Sequence, residues 1–541
     1  MAEKSIAIEK LSHRLTGQDA SFIYGESRNG PLHIGSLSFF EDQIAYPELI
    51  RHFEGKLHLV PRYRQRLIAV PFNLDHATLE DDPDFKIENH VKFHQLPVDA
   101  SEAQLIEAAM AVFRKPLDRN RPLWEVNLFN GFKGNRSVLM WSIHHCLVDG
   151  VSGMELLNVV MDFRPDPLAQ ESNVERWSPK ALPGPLRQLI DLTLDRAQEQ
   201  VNSIRRLTRE APNLRSLVKS LGTDAGTLAN LTRQMTRPIA ATRWNAGFVS
   251  QERTLAWLRT SFADIRAIRS AFGGTINDVV LTMLSEGAAR YIRYHGIQPG
   301  APLRIGCPVS VRHDDESGAL GNRVSMMFPE LRAEPMDPVA RLKLVTAETQ
   351  RIKEAGEPQA LERLMSNGDG VSPAFVATLA GIATAAIDNA VSFQRVFPSL
   401  TRRAAQPMGI NFVATNVPGS QVPLYLAGHR MVDYVGLLPL GGNLGFGVPI
   451  ISYNQSLYFT MMAAPNLMPD PDRMKSLVED VFEELKRAAV AQSVPAAQQP
   501  RPVKRPKHAV TSSASVGSSH PGLAAAPSSG TGYPRTPAGH D

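Results

Sequence analysis

Apolar positions along this chain recur with two periods, one helical and one strand-like, so a mixed α/β protein is expected. Leu105, Ala108, Ala109 and Val112 fall at helical spacing and predict an amphipathic helix over Gln104 to Phe113. Ile50-Arg51-His52-Phe53 lies in another helical stretch. Pro61-Arg62-Tyr63-Arg64-Gln65-Arg66-Leu67 marks a turn into a strand, and Arg121 to Val126 leads into a second one. The unbroken β-prone run Val138-Leu139-Met140-Trp141-Ser142-Ile143 predicts a buried strand. Later, Phe262 to Phe272 predicts a helix, and Thr275-Ile276-Asn277-Asp278 starts another that continues through Val280, Leu281, Leu284 and Ala288. Leu303 to Val309 and Leu457 to Met462 predict strands, and Pro471 to Val490 a closing helix.

These patterns divide the chain. Residues 1–177 and 246–490 share the mixed style, without a clear internal repeat. Between them, residues 178–245 are interrupted by Pro179, Pro183, Pro185, Pro212 and Pro238, with Arg-rich helical pieces such as Leu186 to Leu207. This reads as a connection with its own helices. Two roles stay open for it: an amphipathic linker packed on the body, or a face that contacts an anionic membrane or lipid-droplet surface. Residues 491–541 turn to Ala, Pro, Ser and Gly with a small basic cluster, and are expected to be disordered.

The chain has 541 residues, of which 43% are hydrophobic, enough for more than one core. The net charge of +4 is mild for this length, and neither zinc-finger spacing nor a basic-aromatic RNA motif accompanies it. No nucleic-acid partner is expected. Two cysteines argue against a disulfide framework and for a reducing compartment. The first residues lack the apolar core of a signal peptide, and no run nears ~18 apolar residues, so no spanning helix is expected.

The densest chemistry lies at His144-His145-Cys146-Leu147-Val148-Asp149-Gly150, between the predicted strand and a capping box at Ser152-Gly153-Met154-Glu155. Adjacent residues on a strand face opposite ways, so the two histidines cannot both face one site while strand geometry persists. One of them suits a general base near neutral pH and the other supports the turn. The same geometry disfavours a metal site on the pair, and a histidine next to Cys146 points the wrong way to activate a thiol. Asp149 either orients the ring or braces the turn by pairing with an arginine, and Gly150 permits a tight turn.

Beside its companions, this motif resembles the bacterial wax ester synthase/diacylglycerol acyltransferase family. The companions are Leu15-Thr16-Gly17-Gln18-Asp19, Pro31-Leu32-His33-Ile34-Gly35, Pro61 to Leu67 and Pro122-Leu123-Trp124-Glu125. Further along come Asn277-Asp278-Val279-Val280-Leu281, Pro308-Val309-Ser310-Val311-Arg312, Leu320-Gly321-Asn322-Arg323, Asn416-Val417-Pro418-Gly419 and Ser452-Tyr453-Asn454. Each is weak alone, but their order spans most of 11–490. The family often has Gly where Gln455 stands, Met at Leu32 and Ala at Cys146.

The resemblance implies a two-domain fold like chloramphenicol acetyltransferase, with a catalytic tunnel between the halves. It implies His145 as general base, His144 as support, and Asp149 as a structural partner of an arginine, with Arg312 the candidate. Long-chain acyl-CoA is the implied co-substrate and diacylglycerol or a fatty alcohol the acceptor, with no bound cofactor and no metal. The implied setting is cytoplasmic, in peripheral contact with the inner face of the membrane or with lipid inclusions. Asn277 and Asp278 are implied to matter for activity, although Thr275 and Asp278 also form a helix cap of their own. For Asn277 a tunnel role and a helix-start role stay equally open. Pro122, Leu123 and Trp124 either pack the core or shape the acyl channel. Two other functions compete: a non-catalytic lipid-binding or droplet-coating protein, and an acyltransferase for a specialised alcohol.

Overall fold

The computed structural model describes residues 13–70, 74–147, 159–166, 177–184, 233–234, 237–310, 324–359, 361 and 409–493. These lie within one compact unit that spans residues 1–493. Asp149, Gly150, Arg312, the helix start at Ser152, most of 178–245 and the end of the chain from 494 lie outside the described residues.

The first segment contributes α1 (Gly17–Gly25), β1 (His33–Phe40), α2 (Tyr46–Lys56), β2 (Gln65–Ile68) and β3 (Thr78–Asp81). It continues with β4 (Val91–Ala100), α3 (Glu102–Phe113), β5 (Trp124–Phe132) and β6 (Arg136–His144). Thr16 caps α1 by accepting the Asp19 amide, and Ser101 with Gln104 closes a reciprocal capping box on α3. The second segment supplies β7 (Thr254–Ser261), α4 (Phe262–Phe272), α5 (Ile276–Tyr294), β8 (Leu303–Ser310), β9 (Val324–Met327), β10 (Glu330–Leu331) and α6 (Pro338–Glu354). It ends with β11 (Phe412–Val417), β12 (Tyr425–Leu426), β13 (His429–Leu437), β14 (Phe446–Tyr453), β15 (Ser456–Ala463) and α7 (Pro471–Ser493).

Two mixed sheets organise these elements. One runs β12-β13-β1-β6-β5-β4, and the other runs β10-β8-β11-β14-β15-β7 with β9 paired to β8. Each has its own hydrophobic core. The second core is built around α5, whose residues from Asp278 to Ala289 are all buried. A Cβ on Gly287 would lie 2.5 Å from Val478 Cγ2, so glycine lets α5 approach α7 closely. At this packing, Glu286 pairs with Arg290 at 2.9 Å and Arg341 at 2.5 Å, and Arg290 also holds Glu484 at 2.7 Å. Mutual pairing of this kind is what makes buried charge tolerable among three helices.

The second segment does not stay in its own layer. Strand β13 pairs antiparallel with β1, Gly35 opposite Leu437 and Leu37 opposite Val435, so residues from beyond 400 complete the first sheet. The crossing brings β13 against β14, where Gly436 meets Ile451. Phe39 of β1 also tilts against Trp257 of β7 with ring centroids 5.5 Å apart. Buried Arg253 fastens the same seam by donating to the carbonyls of Asn29 at 2.8 Å and Leu440 at 2.9 Å. It thereby anchors the loop that leads into β1, which supplies much of the site.

Candidate active site

Strand β6 ends at His144, and His145 opens the turn that follows. Two backbone rails hold this end. The His144 amide donates to Leu123 O at 3.0 Å, at the entry to β5, and the His145 amide donates to Leu32 O at 2.9 Å, at the entry to β1. Two of the motifs quoted above thus clasp the histidine motif from either side. Buried backbone amides must find partners, and here both are satisfied across strands.

His144 is fully buried. Its Nδ1 accepts the Cys146 amide at 3.2 Å, which leaves the proton on Nε2. Nε2 faces Glu26 Oε1 at 3.5 Å, the outer limit of a hydrogen bond. Glu26 follows the last residue of α1 and is itself buried, with 5% of its side chain exposed. It accepts the Leu32 amide at 3.1 Å and Arg119 Nη2 at 2.8 Å. Burial alone would raise its carboxyl, but His144, Arg119 and the Leu32 amide outweigh it and hold the group at about 2, well below its ordinary 4.5.

His33 stands opposite His144 in the β1–β6 register, so both side chains lie on one face of the sheet. Its Nε2 donates to Phe113 O at 2.6 Å, and its ring meets the Phe113 ring edge-on. Burial is the chief cause that lowers His33 to about 4, with nearby His144 and Arg253 adding to it. His33 is therefore neutral at physiological pH, and Glu26 is charged.

His145 has a different environment. It is half-buried, and its ring stacks on Phe22 of α1 with centroids 3.9 Å apart and planes 9° apart. Cys146 beside it is buried, and burial pushes its thiol far above the usual range. A thiol that stays protonated is a poor nucleophile.

The remaining candidates fall into two groups. Pro122, Leu123 and Trp124 are buried in the first core. Trp124 stacks between Tyr63 and His90, with centroids 4.8 and 4.7 Å away, and its Nε1 donates to Tyr63 O at 2.8 Å. Asn277 and Asp278 open α5. Asp278 forms the capping box with Thr275 and accepts Thr349 Oγ1 at 2.7 Å, tying α5 to α6. The exposed Asn277 side chain instead accepts from Asn416 on β11.

Glu26, Arg119 and Phe22 went unread in the sequence, and His33 was quoted without a role. No local spacing points to them, because their partners are remote in sequence: Arg119 meets Glu26 across 93 positions, and Phe22 of α1 meets His145 after β6. Among the described residues no cluster of three His, Cys, Asp or Glu could hold a metal ion, and no helix is long and apolar enough to cross a membrane.

Solved structures share this architecture. A wax ester synthase/diacylglycerol acyltransferase from Marinobacter aquaeolei matches with a TM-score of 0.59 at 21% identity, over 88% of this chain and 99% of its own. The first condensation domain of the calcium-dependent antibiotic synthetase, in complex with a substrate analogue, matches at 0.54 and 13%, over 90% and 98%. The starter condensation domain of rhizomide synthetase, in complex with C8-CoA, matches at 0.51 and 14%, over 92% and 99%. Two sheets linked by a crossed-over strand thus give the fold that this wax ester synthase/diacylglycerol acyltransferase and the condensation domains share.

The family models resolve it further. The wax ester synthase/diacylglycerol acyltransferase catalytic domain matches residues 15–280, and the C-terminal domain of the same family matches 320–486. A putative diacylglycerol O-acyltransferase of Mycobacterium tuberculosis is 29% identical over 494 residues, covering 86% of this chain and 90% of that one. A probable diacylglycerol O-acyltransferase of the same organism, tgs1, is 29% identical over 481 residues, covering 87% and 96%. The chain belongs to the wax ester synthase/diacylglycerol acyltransferase family, and it is an acyl-CoA-dependent O-acyltransferase.

Proposed function

We propose that the protein transfers a long-chain acyl group from acyl-CoA to the hydroxyl of diacylglycerol or of a fatty alcohol, giving triacylglycerol or wax ester, with His145 as general base. One observation carries the assignment. Of the two histidines only His145 keeps accessible surface, while His144 is fully buried with its nitrogens turned to Cys146 and Glu26.

The neutral His145 imidazole takes the acceptor's hydroxyl proton as its oxygen attacks the thioester carbonyl. A C–O bond forms, a tetrahedral oxyanion collapses and the C–S bond breaks. The imidazolium returns its proton to the departing thiolate, giving CoA thiol. The steps balance without a metal, a prosthetic group or an acyl-enzyme. Acyl-CoA as donor is supported by the condensation domain of like fold in complex with C8-CoA, and the acceptors by the names of the relatives. Acyl-CoA and alcohol would enter a tunnel between the halves from opposite sides.

Asp149, Gly150 and Arg312 lie outside the described residues, and the resemblance implies Arg312 as the partner of Asp149. Pro122, Leu123 and Trp124 support β6 through the Leu123 carbonyl and the Trp124 stack rather than taking part in chemistry. Substrates this apolar come from a lipid surface, so the Arg-rich 178–245 segment would meet a cytoplasmic membrane face or lipid inclusions peripherally.

The test is thiol release from palmitoyl-CoA with hexadecanol or dioleoylglycerol. His145→Ala is expected to lose about 10²–10⁴-fold in turnover while staying folded, with only the small drop in melting temperature that loss of the Phe22 stack entails. Full turnover in that variant would remove His145 from its role. No release by the unsubstituted protein with any acceptor would remove the acyl-transfer reading.

A further inference from the structure

We infer that Glu26 is a positioning residue for the reaction, acting through His144 on the turn that carries His145. This rests on His145 as the base. The geometry is a relay of contacts. The Glu26 carboxylate is buried and held by the Arg119 guanidinium and the Leu32 amide, and it faces the protonated Nε2 of His144. The opposite nitrogen of His144 accepts the amide of Cys146, the residue immediately after His145. A carboxylate on one side of the imidazole therefore fixes its tautomer, and the tautomer fixes which nitrogen can receive the turn's amide. With the other tautomer, two N–H groups would face each other and the turn would have to open.

The surroundings suit this task. The charged and titratable groups around Glu26 are His144 on β6, His33 on β1, Arg119 from the loop before β5, and Cys146 in the turn, with Arg253 beyond His33 and Arg62 and Asp19 beyond Cys146. The Leu32 residue joins both ends of the device. Its amide donates to Glu26 and its carbonyl accepts the His145 amide. One carboxylate thus bears on the amides at both flanks of the catalytic imidazole without touching a reacting atom.

The experiment is Glu26→Gln, which keeps the size and an acceptor oxygen but removes the charge. Turnover is expected to fall about 10- to 100-fold, as for a misplaced catalytic group, with KM for palmitoyl-CoA within about twofold. In a His144→Asn background, whose amide oxygen can still accept the Cys146 amide, Glu26→Gln is expected to add no further loss. Should Glu26→Gln fail to accumulate, Glu26→Asp, which withdraws the carboxylate by one methylene, is read in the same way and is expected to lose turnover at unchanged KM. Unchanged turnover, or a full additional loss in the His144→Asn background, overturns the inference. If His145→Ala is inactive while Glu26→Gln matches the unsubstituted protein, this inference alone fails. If His145→Ala is active, the reading it rests on fails.

Discussion

The ring of Phe22 lies flat against the ring of His145, with 3.9 Å between centroids. The contact ties the first helix of the chain to the turn after β6 and limits the rotamers open to the proposed base. Aromatic stacking is worth about 0.5–1.5 kcal/mol beyond the area it buries. Phe22→Ala is therefore expected to lower turnover by about 2- to 10-fold, and Phe22→Tyr to retain it. Steady-state kinetics on both variants check this, and unchanged turnover in Phe22→Ala counts against the constraint.

Stability should fall on acidification in two stages. His33 is held at about 4 against an ordinary 6.5, chiefly by burial. The unfolded chain then takes up its proton first, so stability is lost as pH drops from about 6.5 to about 4. Glu26 is held at about 2 against 4.5, and its contribution, present above 4.5, is lost as pH falls from there through about 2. Denaturant midpoints measured across this range should decline from pH 6.5 downwards. In His33→Asn the upper stage should shrink, since His52 and His90 are also held low by burial, and the lower one should persist. A flat profile in the unsubstituted protein contradicts both assignments.

Gly35 sits opposite Ser142, two positions before His144, and an added Cβ would overlap the Trp141 carbonyl oxygen and lie 2.9 Å from Phe113 Cε2. The carbonyl belongs to the neighbouring strand and cannot swing away without opening the β1–β6 ladder. Gly35→Ala is expected to cost about 1–3 kcal/mol or more, read as a lower denaturant midpoint or loss of folded yield. An unchanged midpoint would mean that the ladder adapts freely.

Asp278 and Asn277 are adjacent but should part experimentally. Asp278 closes the cap of α5 and holds Thr349, so Asp278→Ala is expected to cost about 2 kcal/mol, seen as a melting temperature lower by a few degrees. The Asn277 side chain is exposed and caps nothing, since Thr275 and Asp278 do that work. Asn277→Ala is expected to melt within ~0.5 kcal/mol of the unsubstituted protein while turnover falls several-fold through loss of the link to Asn416. Normal turnover would leave Asn277 a surface residue at the helix start.

Local pattern read many elements closely. The helix expected from Gln104 runs from Glu102 to Phe113, that at Phe262 to Phe272 matches its ends, and the strand before the histidines runs to His144. These succeed because helical spacing, caps and apolar runs are short-range signals. Period-two geometry also indicated that His144 and His145 would differ, and they do: one is sealed in the sheet and the other turns outward onto Phe22. The boundary at 246 was read from composition, and composition could not reveal that β13 returns to pair with β1.

By itself, then, the chain determined its elements, its family and the histidine motif, since propensity, capping and motif order are all carried by neighbouring residues. The surroundings of that motif could be known only from the pairing of distant strands. Glu26 and His33 acquire meaning when β1 lies beside β6, and Leu32 and Leu123 become rails only when β1 and β5 flank it. Register between remote segments depends on burying whole sheet faces, a property of the assembled core that no local stretch encodes.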